Sequence, residues 1–178
     1  TCGNTSTCTF RVSVTDSENP VITCPADLVL TADAGYCSRS NVTFAVSATD
    51  NCGVANLVSS PASGSAFPVG ETTVTNTAAD ASGNTSTCTF TVTVTDNENP
   101  VITCPTNLVL TADAGHCSRS NVTFVVTATD NCSVKNLESS PASGNTFSIG
   151  TTSVMSTATD ASGNTSTCTF TVTVLDTQ

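Results

Sequence analysis

Ten cysteines and fourteen acidic residues hold most of the reactive groups in this 178-residue chain, and both sets recur at a fixed spacing. Cys24, Cys37, Cys52 and Cys88 return as Cys104, Cys117, Cys132 and Cys168, each about 80 residues further on. Two chemistries use cysteines in this way, disulfide bonding and metal ligation. Zinc is disfavoured, because there is no C-x-x-C pair and His116 is the only histidine. Disulfides fit better. A domain of about 80 residues lies near the lower limit for a core that is stable alone, and such domains in oxidising compartments are commonly stapled. Four cysteines per repeat allow three pairings, and spacing alone does not choose among them.

The acids fall into two matching groups, Asp16, Glu18, Asp50 and Asp80, then Asp96, Glu98, Asp130 and Asp160. If the entry to each domain, the loop after its second strand and the loop before its last strand share one end, each group converges. With the carbonyls of Asn51 and Asn131 it would then offer the hard oxygens that Ca²⁺ takes. Calcium at the inter-module junctions would stiffen them, as it does in other tandem adhesion domains; no other cofactor is required. Against this, Asp and Asn also favour turns for local hydrogen-bonding reasons. Asn4, Asn41, Asn84, Asn121 and Asn164 lie in N-x-[ST] sequons and are candidate glycan sites, Asn84 on an exposed hairpin and Asn41 on an outward strand face. Asn131 opens a sixth, weaker sequon.

Catalysis has little to work with. The counterpart of His116 one repeat earlier is Tyr36, and no Ser/His/Asp set recurs. The chain is therefore read as non-enzymatic. A carbohydrate-binding platform is disfavoured by the lack of Trp and the single Tyr. Arg11, Arg39, Arg119 and Lys135 are the only basic side chains, and a net charge of −10 argues against nucleic acid as a partner. No apolar run is long enough to span a bilayer.

These groups must be positioned by short strands. Gly, Asn, Asp, Ser and Pro cluster at intervals of about 8–12 residues between stretches of Val, Thr and Phe, the spacing of an all-β sandwich. In the first full repeat the pattern predicts strands over 21–24, 28–30, 41–49, 54–58, 66–69, 72–78 and 86–95. Within 41–49, Val42, Phe44, Val46 and Ala48 point one way; in the last strand Cys88, Phe90, Val92 and Val94 share the core face. Asp80 to Asn84 is a strong turn signal. No segment has a helical period. The opening Gly3-Asn4-Thr5-Ser6-Thr7-Cys8-Thr9-Phe10 reappears at Gly83 and again at Gly163. Residues 1–16 thus read as the last strand of a preceding repeat, either cut from a longer array or donated to a neighbour, followed by repeats over 17–96 and 97–178. Cys2 stands where the other copies have Ser82 and Ser162.

The two repeats, identical at about three-quarters of their positions, resemble the hyalin repeat (HYR) family of immunoglobulin-like extracellular modules. The matching text is Asn19-Pro20-Val21-Ile22-Thr23-Cys24-Pro25, Ala48-Thr49-Asp50-Asn51-Cys52-Gly53-Val54, Phe67-Pro68-Val69-Gly70, and Asp80-Ala81-Ser82-Gly83-Asn84 leading into Cys88-Thr89-Phe90-Thr91-Val92. The second repeat departs at Ser133, Ser148 and Ile149. The resemblance implies tandem β-sandwiches used in adhesion and extracellular structure, secreted or at the cell surface, with no reaction attached. Family members that lack counterparts of Cys37 and Cys52 lose both together, which implies the pairs Cys24–Cys88 and Cys37–Cys52, with Cys104–Cys168 and Cys117–Cys132 after them. A fully extended 41–49 would hold Cys37 and Cys52 too far apart, so that pairing needs a shorter or folded-back strand. The expected function is a segment of a long tandem array forming a filament or fibre, its partners neighbouring copies of itself. The alternative is a non-filamentous surface adhesin or stalk accessory to another domain, with glycans as a candidate ligand.

Overall fold

A computed structural model describes residues 2–177; Thr1 and Gln178, the outermost residues of the expected stub and of the second repeat, lie outside them. The chain is all-β. The first repeat forms β1 (Val21–Thr23), β2 (Leu28–Thr31), β3 (Ser38–Val42), β4 (Ser47–Thr49), β5 (Val54–Ser60), β6 (Ser65–Pro68), β7 (Gly70–Asp80) and β8 (Thr85–Thr95). The second forms β9 (Val101–Thr103), β10 (Leu108–Thr111), β11 (Ser118–Arg119), β12 (Thr127–Thr129), β13 (Val134–Ser140), β14 (Phe147–Ser148), β15 (Gly150–Asp160) and β16 (Thr165–Leu175). Four-stranded sheets run β2-β8-β7-β5 and β10-β16-β15-β13, and the remaining strands form the pairs β1-β4, β3-β6, β9-β12 and β11-β14. No helix among the described residues is long and apolar enough to cross a membrane.

The chain divides into two compact units, one of residues 1–27, 41–65 and 73–92, the other of 28–40, 66–72 and 93–178. The division runs through the first repeat, two of whose segments belong with the second. In the second unit the core is Val122, Phe147, Val154, Phe170, Val172 and Val174. Four of these come from the longest hairpin, where Val154 lies opposite Phe170 in the antiparallel ladder of β15 and β16. Along β16 the alternation with Thr turns Cys168, Phe170, Val172 and Val174 to one face, while Leu175 at the strand's end faces the other way and is exposed. Leu108 to Thr111 then pairs in parallel with Val172 to Leu175, closing the sheet on its other side.

The first unit shows the same devices. β1 and β4 pair antiparallel with Ile22 opposite Ala48, and β5 meets β7 with a register shift between Val54 and Asn56. Phe44 sits edge-on to Phe90 with ring centroids 4.9 Å apart. The expected strand over 41–49 is two short strands. Asn41 adopts φ 50°, a left-handed conformation that Asn tolerates, and so turns the chain. β3 then pairs with β6, whereas β4 pairs with β1. Between them Phe44 leaves the ladder, and the Ser63 hydroxyl takes its place. That one group accepts from the Phe44 N–H and donates to the Phe44 carbonyl, each at 3.0 Å. The alternation of Val42, Phe44, Val46 and Ala48 survives the break, with all four at least half-buried.

Residues 2–16 form no strand. Phe10, Val12 and Val14 are 84%, 76% and 91% exposed, whereas their counterparts Phe90, Val92 and Val94 are 4%, 0% and 1%. The reason is topological. β8 is an inner strand with β2 on one side and β7 on the other, and residues 2–16 have neither neighbour.

Candidate functional site

In the first unit three carboxylates reach one place from three turns. Asp80 ends β7 and is 5% exposed. Its carboxylate accepts from the backbone N–H of Ser82 (2.9 Å) and Asn84 (2.8 Å) and from Asn84 Nδ2 (2.6 Å). Burial works to raise its pKa, but the hydrogen bonds from Asn84, Gly83 and Ser82 together outweigh that and hold it below the usual carboxylate value. Asp50 follows β4, and its Oδ2 accepts from the N–H of Cys52 (2.9 Å) and Gly53 (3.0 Å), a turn that Gly53 completes at φ 101°. Asp16 accepts from the Glu18 N–H at 3.1 Å.

One oxygen from each of Asp16, Asp50 and Asp80 lies within 4.8 Å of the others. Asp16 Oδ2 and Asp50 Oδ1 are buried without a hydrogen-bond partner. Three negative groups this close repel one another, and unpaired buried carboxylate oxygens are costly, so the set is suited to a hard cation. Cys52 stands beside it. Its thiol pKa is raised, first by a hydrogen bond to Asp16 and then by the charge of Asp16, burial and the charges of Asp50 and Asp80.

The second unit builds a different group, Asp96, Asp130 and Cys132. Asp96 is 5% exposed and well partnered. It accepts from the Glu98 N–H (3.1 Å), Asn131 Nδ2 (3.3 Å) and the Ser162 hydroxyl (3.4 Å). Asp130 Oδ2 accepts from the N–H of Cys132 (2.8 Å) and Ser133 (3.0 Å), while Asp130 Oδ1 and Asn131 Oδ1 are buried and unpartnered. Asp160, 0% exposed, is held by the Asn164 N–H and Nδ2, each at 2.8 Å.

The fourfold acidic sets expected from sequence are therefore smaller, among the described residues. Glu18 and Glu98 are outside both groups, and Asp160 is outside the second. Glu98 points elsewhere, accepting from the Gly35 N–H at 2.7 Å. The Cys132 sulfur is spent in a disulfide and offers a cation little.

Cys24 bonds Cys88 and Cys104 bonds Cys168, joining residues 64 apart in both repeats. In the first unit the Asn76 amide, fully buried, donates toward the Cys24 sulfur (3.1 Å) and the Cys88 carbonyl (3.4 Å). Cys37 departs from expectation. It bonds Cys132, 95 residues away, and leaves Cys52 and Cys117 free and exposed. The implied Cys37–Cys52 and Cys117–Cys132 pairs are thus not formed. The cause is local to the second unit. Gly35 binds Glu98, and Asn131 Nδ2 donates to the Tyr36 carbonyl at 3.1 Å, so the 35–37 loop is held against residues 130–132 and the two sulfurs meet. A pairing between successive repeats satisfies the 80-residue period as well as one within a repeat, which is why spacing could not reveal it.

Two of the sequons are engaged. Asn84 Nδ2 donates to both the Asp16 carbonyl (3.2 Å) and Asp80, and Asn164 Nδ2 to the Asp96 carbonyl (3.1 Å) and Asp160. A glycan on that nitrogen would remove at least one bond. Asn4, Asn41 and Asn121 are exposed. His116 lies in the turn after β10, its N–H donating to the Asp113 carbonyl at 3.0 Å.

The HYR domain model matches this sequence twice, over residues 15–94 and 95–174. The chain belongs to the HYR domain family. This HYR protein is 39% identical over 180 residues to hyalin from Strongylocentrotus purpuratus, covering 97% of the chain and 15% of that protein. It is 36% identical over 183 residues to hyalin from Lytechinus variegatus, covering 98% of the chain and 34% of that protein. The chain thus spans about a third or less of the hyalins it matches. Among solved structures, mouse Cadherin-23 EC22-24 is similar over 88% of the chain and 67% of its own, at 15% identity and a TM-score of 0.44, too loose a likeness to build on. The molecule is a hyalin-like tandem HYR repeat protein, and its three disulfides fit an extracellular setting.

Proposed function

We propose that this HYR protein is a non-enzymatic structural protein of the extracellular space, secreted or attached at the cell surface, whose repeats belong to a long array that assembles as a filament or fibre. The observation that carries this reading is the Cys37–Cys132 bond, which ties one repeat covalently to the next. Such a link resists both proteolysis and extension, and an isolated binding module has no need of it. The strong likeness of the two repeats and the Thr-covered outer faces of β8 and β16 support the same reading. Electron microscopy of native material tests it. Long uniform fibres with an axial period of one or two repeats are expected; dispersed flexible strings or short rods would instead favour an adhesin or stalk accessory to another domain.

The acidic group of Asp16, Asp50 and Asp80 is proposed to take Ca²⁺, on the strength of its two orphaned buried oxygens. Three carboxylates supply part of the six to eight oxygens, roughly, that the ion requires, and water or carbonyls the rest. Calcium should raise the melting temperature and a chelator should lower it. Asp16→Asn, which keeps an oxygen for the Glu18 N–H, should abolish the difference. A melting temperature indifferent to both additions would remove calcium from the account.

A further inference from the structure

The Cys37–Cys132 clasp has two halves, and each half occurs twice. One is the loop Asp33-Ala34-Gly35-Tyr36-Cys37, which returns as 113–117 and ends in Cys117. The other is the turn Asp130-Asn131-Cys132, which appears first as Asp50-Asn51-Cys52. The structure uses one of each. The two left over, Cys117 and Cys52, are both exposed and unbonded.

Neither is a stray thiol, because its counterpart one repeat away is already oxidised to the other half of the same clasp. The groups around the formed bond also have their counterparts in place. Asn131 Nδ2 donates to the Tyr36 carbonyl. The matching donor is Asn51, which is exposed, and the matching carbonyl is that of His116. Asp50 shapes the Cys52 turn through two N–H bonds, as Asp130 shapes that of Cys132. Within the clasp Asp96 is buried and fully partnered, whereas its counterpart Asp16 keeps an orphaned oxygen beside Cys52.

We propose that Cys117 forms a disulfide with the Asp-Asn-Cys turn of an adjoining HYR repeat, as Cys52 does with the preceding Cys37-type loop, so that the clasp continues head to tail along the array. This rests on the array reading above and names its covalent joint. The chemistry is a thiol oxidation. Two thiols give one S–S bond, two protons and two electrons. A small-molecule disulfide oxidant accepts the electrons by exchange, and its two sulfurs leave as thiols carrying the protons. The adjoining turn comes either from a second copy of the chain or from a further repeat of one polypeptide; the chemistry is the same.

The test uses the 178-residue chain with Cys2→Ser and Cys8→Ser, which removes the other two free thiols. Incubated at high concentration with oxidised glutathione, it should give a ladder on non-reducing denaturing electrophoresis. Peptide mapping should join the Cys117 peptide to the Cys52 peptide. Cys52→Ser and Cys117→Ser variants should each lose the ladder alone, and an equimolar mixture of the two should give a dimer and stop there. Cys117–Cys117 or Cys52–Cys52 links, or thiols that stay alkylatable throughout, would overturn the proposal. In native material the Cys117-to-Cys52 type of peptide should also be found, with a ladder if the partner is a second copy and without one if it lies in the same polypeptide. Fibres seen with both thiols free would sink the clasp and leave the array reading standing. Cross-linked pairs without fibres would do the reverse.

Discussion

Asp80 and Asn84 show how much one turn asks of two side chains. The Asp80 carboxylate caps three donors while buried, and Asn84 uses the same amide to reach the Asp16 carbonyl. Asp160 and Asn164 repeat the arrangement. Because the folded state favours the ionised form, these aspartates bind protons less readily than in the unfolded chain. Asp33 and Asp113 behave likewise, chiefly through the Ser40 and Ser120 hydroxyls, as does Asp27 through Thr91. The sign follows: their contribution is fully present above the unfolded carboxylate pKa of about 4, and it is lost as pH falls through the lower folded values. Melting temperature should hold steady from neutral pH down to about 5 and drop steeply below about 4. A flat profile to pH 2 would show that these carboxylates are not coupled to folding. The same bonds bear on glycans. In a host that attaches N-linked sugars, intact-mass and peptide analysis should find them on Asn41 and Asn121 rather than on Asn84 and Asn164.

At the scale of elements, β8 and β16 bear most of the load, each an inner strand whose alternate residues fill the core. Phe170 is 3% exposed and packs edge-on against Phe124 with centroids 4.9 Å apart. Phe170→Ala should cost about 3–5 kcal/mol in chemical denaturation, a cavity in a small core. Phe10→Ala, at the matching position of residues 2–16, should change stability by less than about 0.5 kcal/mol, because that ring is already in water. This contrast also marks what a sequence can disclose about strands. The alternation of Thr with Val and Phe reads directly as an inward face, since it depends only on neighbours two residues away. The break after Val42 does not read that way. It depends on a left-handed Asn41 and on Ser63, whose hydroxyl stands in for the ladder from 19 residues further on. Asp80 and Asp50 were visible as turn residues because their bonds span two to four positions. That Glu98 would leave the acidic group for Gly35 was not visible, the two being 63 positions apart.

For the molecule as a whole, the disulfides divide into two kinds with different duties. Cys24–Cys88 and Cys104–Cys168 each close a loop within one repeat, and chain entropy assigns such loops about 4 kcal/mol apiece, comparable to the full stability of a small domain. Cys37–Cys132 joins successive repeats, and its Cys37 end is exposed while all four cysteines of the other two bonds are half-buried. A reductant must reach sulfur to attack it, so the three bonds should open in two stages. In the isolated 178-residue chain, before any oxidation of its free thiols, an alkylating reagent should tag four cysteines, Cys2, Cys8, Cys52 and Cys117. Mild reduction should then add Cys37 and Cys132 together, with circular dichroism and the melting transition of each core largely retained. Only stronger reduction should release the remaining four, and with them the fold. A first stage that instead freed Cys37 together with Cys52 would restore the pairing within a repeat. Loss of structure in that first stage would mean that the link between repeats, rather than each core, holds the sandwiches closed.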